Sequence, residues 1–129
     1  INESLRFDPP LLGLFRTTAC DVEIAGARIR AGTKVLTHYG AANRDPAVFE
    51  RPDVFDVHRP IRKILSFGLG IHFCLGAELA KLEAQVALSA LRDRFPRLEL
   101  VDDGERIGPF LFWGRRKLPI RHARLRPIA

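Results

Sequence analysis

Leu75, Leu79, Leu82, Val86 and Ala90 recur at intervals of three and four, which places them on one side of a helix. Lys81, Gln85 and Arg92 fall on another side, helix formers fill the positions between, and Pro96 lies just past the end. The spacing predicts one dominant helix over 75–94 with its apolar side turned to a core. Residues 1–8, "INESLRFD", read as the end of a shorter helix stopped by Pro9 and Pro10. From Leu11 to Thr37 the pattern changes. "DVEIAG", "ARIRAG" and "KVLTHYG" combine β-branched residues with glycine punctuation, which predicts short strands joined as hairpins. "AANRDPAVFERPDVFDVHRP" is rich in Pro, Asp and Arg and predicts a long irregular loop with short helical turns. A loop of that length is usually functional or supported by something large. Residues 98–126 look like further short strands, with turns at Asp103-Gly104 and Gly108-Pro109. No internal repeat or low-complexity linker interrupts the chain. The fold class expected is α+β, mainly loops and short antiparallel strands around one dominant helix, in a single unit over 1–129.

Composition adjusts this picture in three places. The chain has 129 residues, 47% hydrophobic and 28% charged, which is globular. No apolar run approaches the roughly 18 residues of a membrane span, and no secretory signal is visible. Cys20 and Cys74 alone make no disulfide framework, so a reducing, cytoplasmic setting is expected. The chain contains no Met and opens on Ile1, which suggests a piece of a longer protein. The net charge of +6 is uneven. The last fifteen residues, "RRKLPIRHARLRPIA", hold six basic side chains and no acid, and the rest is balanced. This is a solvated basic end or a contact for an acidic protein or a nucleic acid. Without aromatic interleaving it argues against nucleic-acid recognition.

The chemistry concentrates in "FGLGIHFCLG", residues 67–76, where three glycines surround one thiol just before the dominant helix. A helix start carries unpaired N–H groups and partial positive charge, and a thiol placed there is favoured as thiolate, the form that binds metal. The glycines let backbone approach a large flat ligand. Zinc is disfavoured, because there is no CxxC and the second cysteine is 54 positions away. A nucleophilic pair with His72 fits the spacing but lacks a third group to orient the base. A single thiolate on a glycine-rich loop fits an axial haem ligand better. An ordinary buried free cysteine is the plain alternative.

The stretch resembles the haem-thiolate loop of the cytochrome P-450 monooxygenases, F-G-x-G-x-(H/R)-x-C-x-G, with Phe67, Gly68, Gly70, His72, Cys74 and Gly76 all matching. "ESLR" supplies the family's E-x-x-R at Glu3 and Arg6, and "AANRDPAVF" follows at the right distance. The resemblance covers roughly the last third of the family's mostly helical fold. It implies haem b held through Cys74, with Phe67, Gly68 and Gly76 around it and with Arg16 and His72 on its propionates. Glu3 and Arg6 are implied to brace the irregular loop. Leu11, Leu12, Leu14, Leu111 and Phe112 are implied to reach the substrate pocket. The implied activity inserts one oxygen atom into a small organic substrate, with electrons from a ferredoxin and its reductase. The alternative is a truncated product that folds or contacts haem without turnover.

Two positions depart from the family pattern. Val54 stands where a basic residue usually joins Glu3 and Arg6, which leaves Arg51 or Arg59 to supply that charge. Ile64 stands where bacterial members often carry a propionate-binding His, with Lys63 as the adjacent source of charge.

Overall fold

A computed structural model describes residues 1–61 and 63–123. Helix α1, Asn2–Phe7, ends where Asp8, Pro9 and Pro10 remove helical geometry and a backbone donor. Its last carbonyl, on Phe7, accepts from Arg44 Nε and Nη2 at 3.1 and 2.7 Å, and the Arg44 guanidinium lies 4.1 Å over the Phe7 ring. An exposed end that lacks intrahelical partners is thereby satisfied by the irregular loop.

Strands β1 (Gly13–Thr17), β2 (Val22–Ile24), β3 (Ala27–Ile29) and β4 (Lys34–His38) form two nested antiparallel pairs. The inner pair, β2 with β3, turns through Ala25 and Gly26, with φ of 49° and 79°. Two successive left-handed residues match the right-handed twist of a tight hairpin. The outer pair sets Leu14 opposite Thr37 and Arg16 opposite Val35. A short helix α2, Tyr39–Ala42, leads into the loop.

Helix α3 spans Ala77–Arg94, two residues shorter at its start than the spacing predicts. Leu75 and Gly76 belong to the preceding turn, in which the Ala77 N–H donates to the Cys74 carbonyl at 3.2 Å. Strands β5 (Arg97–Leu100), β6 (Glu105–Arg106), β7 (Arg115–Lys117) and β8 (Ile120–Ala123) then pair as β5 with β8 and β6 with β7. Gly104, with φ of 66°, makes the expected turn, and the Phe112 N–H closes another on the Pro109 carbonyl. The expected strand region beyond 123, and the basic residues Arg124 and Arg126, lie outside the described residues. Arg115, Arg116, Lys117 and Arg121 lie on exposed strands. Glu105 approaches Arg116 and Lys117 at 3.4 and 3.9 Å, and Glu99 approaches Arg121 at 3.8 Å. Among the described residues no helix is long and apolar enough to cross a membrane.

One expectation is overturned. The apolar side of α3 is not core: Leu79, Leu82 and Val86 each show more than half of their surface, Ala90 is exposed, and Leu75 is fully exposed. The helix turns its narrow side inward instead, along Ala77, Lys81 and Ala84. Periodicity identifies a surface that prefers burial but cannot say whether the same chain provides the cover. Among the described residues the buried positions are Pro9, Gly13, Phe49 and Ala77 together with the polar Glu3, Arg6 and Asn43. The centre of this piece is a polar network.

Candidate functional site

That network begins in α1. Glu3 and Arg6 lie three apart on one side of a single helical turn, 4% and 0% exposed. Arg6 Nε and Nη2 donate to the two Glu3 carboxylate oxygens at 2.7 and 2.8 Å, a parallel double contact. Arg6 also donates to the carbonyls of Asn43, Pro52 and Val54 at 3.0, 2.8 and 3.2 Å. The Asp56 N–H donates to Glu3 Oε1 at 2.9 Å. Arg59 supplies the third charge, with Nε 3.3 Å from Glu3 Oε1 and further donation to the carbonyls of Glu50, Arg51 and Val54. Val54 thus takes part through its carbonyl while its side chain is exposed. The hydrogen bonds from Arg6 hold the Glu3 carboxyl down to about 2. Burial opposes them, and the Asp56 N–H and Arg59 add to them. A brace made of charge-assisted bonds to carbonyls can order a loop that has few apolar side chains of its own.

The cysteine loop is held above this brace. Gly70–His72 form a single 3₁₀ turn, closed by the Phe73 N–H on the Gly70 carbonyl at 3.0 Å. Gly68 and Gly70 adopt φ of 74° and 63°, left-handed values that other residues rarely hold. A Cβ on Gly68 would also stand 2.9 Å from the His72 carbonyl oxygen. Gly76 serves differently: its backbone is ordinary, and an added Cβ would lie 4.0 Å from the Cys74 sulfur. The Cys74 N–H donates to the Phe67 carbonyl at 2.8 Å, and Cys74 is exposed. Cys74 precedes the first residue of α3 by three positions, farther from the helix than its place in the sequence suggests. The Phe67 and Phe73 rings lie 6.4 Å apart, with Lys81 Nζ 5.8 Å from the Phe67 centroid.

A cleft of about 360 Å³ opens beside the loop, lined by residues that include Arg16, Leu65, Gly68, Leu69 and His72. Two residues fifty-six apart in sequence, Arg16 and His72, are therefore brought to one cavity. Lys63 is not there; it lines a neighbouring cleft of about 240 Å³ with Ile64, Phe67 and Lys81. Neither Lys63 nor Ile64 lines the cleft that holds Arg16 and His72. The apolar candidates also meet. Leu11 and Phe112 form a bridge, the Leu12 N–H donates to the Leu111 carbonyl at 2.8 Å, and Leu14 is exposed on β1. Among the described residues no three His, Cys, Asp or Glu side chains converge on a metal position. Sequence reading did not single out Asn43 and Ser66. Their only signal is a place inside "ANRDP" and directly before the glycine loop.

Comparison with known proteins agrees with this geometry. The family model described as cytochrome P-450 matches residues 1–110. The biotin biosynthesis cytochrome P-450 of Bacillus subtilis is 45% identical over 121 residues, covering 93% of this chain and 31% of the relative. The 6-deoxyerythronolide B hydroxylase of Saccharopolyspora erythraea is 47% identical, covering 94% of this chain and 31% of the relative. A solved P-450 in complex with acyl carrier protein carrying hexadec-9Z-enoic acid superposes with a TM-score of 0.89 at 43% identity, over 94% of this chain and 32% of that one. The chain spans about 31% of the length of the curated relatives it matches. With the family model covering most of its residues and the same backbone recurring in solved members, the chain belongs to the cytochrome P-450 family, whose members are haem-thiolate proteins.

Proposed function

We propose that this chain, 1–129, forms the thiolate side of the haem site in a cytochrome P-450 monooxygenase that inserts one oxygen atom into a small organic substrate. The carrying observation is an exposed Cys74 on a glycine-shaped loop whose Gly68, Leu69 and His72 line a cleft together with Arg16. The donor set fits haem b. Cys74 offers one soft anionic ligand, Leu65 and Leu69 offer apolar lining, and Arg16 and His72 offer donors for two carboxylates. When bound, haem supplies the oxygen-activating chemistry, which a thiolate ligand favours by pushing electron density toward O–O cleavage.

The protein's part is to bind and orient. Cys74 holds the metal, and its N–H is engaged by the Phe67 carbonyl, so the loop sets the direction of the sulfur. Gly68 and Gly76 keep backbone and sulfur free of side-chain obstruction. Phe67 opens the loop with its ring under Lys81. Leu11, Leu12, Leu14, Leu111 and Phe112 form one wall of an apolar substrate pocket. Electrons arrive singly from a ferredoxin and its reductase, and the chain's +6 charge suits an acidic donor. Two free cysteines accord with a reducing cytoplasm.

A second reading is a folded, haem-contacting product without turnover. The uncovered side of α3 favours it, because among the described residues Leu79, Leu82 and Val86 stay more than half exposed. A spectrum tests both readings. The reduced, carbon-monoxide-bound protein is expected to show the red-shifted Soret band of thiolate ligation, and Cys74→Ser is expected to abolish it. Persistence of the band in Cys74→Ser assigns the ligand elsewhere. A band without product, whatever reductant and substrate are supplied, leaves only the second reading.

A further inference from the structure

Asn43 is 1% exposed, the most completely buried neutral polar side chain described, and every polar atom of its amide is used. Its Oδ1 accepts from the Leu65 N–H at 2.8 Å, and its Nδ2 donates to Ser66 Oγ at 2.8 Å. Ser66 Oγ in turn donates to the Leu5 carbonyl in α1 at 2.6 Å. The Asn43 carbonyl is one of those held by Arg6. The brace and the segment leading into the cysteine loop are therefore joined through one amide and one hydroxyl.

The bonds continue toward the sulfur. The Leu65 carbonyl accepts from the Gly68 N–H, and the Phe67 carbonyl accepts from the Cys74 N–H, both at 2.8 Å. Asn43 and Ser66 thus fix the two residues that immediately precede Phe67. The positions of Gly68 and Cys74 follow from those residues by single hydrogen bonds. A buried, fully satisfied polar network of this kind specifies one backbone arrangement, because each alternative leaves a buried group unpaired.

We propose that Asn43 and Ser66 are positioning residues for the Cys74 thiolate, tying the register of the 67–74 loop to the Glu3–Arg6 brace. The inference rests on the haem reading for its functional consequence, and on the hydrogen bonds alone for its structural one. Amide hydrogen exchange tests the structural part. In Ser66→Ala, exchange at Gly68 and Cys74 is expected to accelerate about tenfold, the loss of roughly one net hydrogen bond, while mid-α3 amides such as Val86 keep their rates. Ser66→Thr, which retains the hydroxyl, is expected to restore protection. Unchanged rates at Gly68 and Cys74, or an equal acceleration in α3, overturn the proposal. The functional part is read in haem-loaded protein, where Ser66→Ala is expected to lower the fraction of the carbon-monoxide complex with the thiolate band. Wild-type protein that never shows the band overturns the haem reading itself. A wild-type band that Ser66→Ala leaves intact overturns the positioning role alone.

Discussion

Replacing Glu3 by Gln removes one negative charge from the centre of the brace and puts an NH₂ group against the donors of Arg6. Four contacts converge on the Glu3 carboxylate: two from Arg6, one from the Asp56 N–H and one from Arg59. Arg6 has no solvent exposure, so its charge has no alternative in water. Removing one partner of a buried pair costs about 3–5 kcal/mol, mainly because the other charge stays buried and uncompensated. That is a large share of the roughly 5–15 kcal/mol that holds an ordinary domain together. Urea unfolding followed by circular dichroism measures it. The acid limb supplies an independent check. Glu3 titrates at about 2 in the folded chain, against an ordinary 4.5. Between those values the unfolded state takes up the proton first, so stability falls as pH drops. The contribution is complete above about pH 4.5 and lost toward pH 2. Glu3→Gln is expected to be less stable at neutral pH and to lose this part of the acid dependence. A loss below about 1 kcal/mol, the range of a solvated surface pair, with the acid limb unchanged, would refute the buried-brace argument.

The two loop glycines are expected to separate. Gly68→Ala meets a left-handed backbone costing about 1–2 kcal/mol, plus the close approach to the His72 carbonyl, so both thermal stability and haem uptake should drop. Gly76→Ala meets an ordinary backbone and should shift the melting point little; an equal loss in both variants contradicts the backbone assignment. Leu82→Lys on the open side of α3 is expected to change stability by less than about 0.5 kcal/mol, as exposed positions do, and to raise solubility; a marked destabilisation would show that the side is covered after all. Arg16→Ala is likewise expected to leave the stability within about 0.5 kcal/mol of wild type, since the one described hydrogen bond of its side chain is to the adjacent Phe15 carbonyl. The same variant should retain haem less well in a transfer assay to apomyoglobin, and unchanged retention removes Arg16 from the haem site.

Local chemistry made much of this protein legible in its sequence. Pro9 and Pro10 stop a helix wherever they occur, and strand alternation with glycine punctuation marked the hairpins. The Gly104 turn follows from the same local rules. The spacing of Phe67, Gly68, Gly70, His72, Cys74 and Gly76 was recognisable as a resemblance to a known family, and Gly68 and Gly70 hold the left-handed backbone that demands glycine. Long-range pairings were less visible. Nothing local in Arg59 distinguishes it from Arg51, yet only Arg59 reaches Glu3. Nothing local in Asn43 announces that its amide fastens Leu65 and Ser66. Lys63 and Ile64 looked near the site, and the backbone sends both to a cleft other than the one Arg16 and His72 line.

The helix α3 shows where that boundary lies. Its sequence determined that residues near 75–94 form a helix with one apolar side, because propensity and period are properties of neighbours along the chain. Whether that side is covered depends on what packs against it. The tertiary structure turned Ala77, Lys81 and Ala84 inward and left the leucines open. The sequence likewise determined that Cys74 sits among glycines before a helix. Only the fold decided that Arg16 would share a cleft with His72, and that the buried Glu3 carboxylate would meet the Asp56 N–H and Arg59. Distances between residues far apart in sequence are set by closure of the whole chain, which no local pattern encodes.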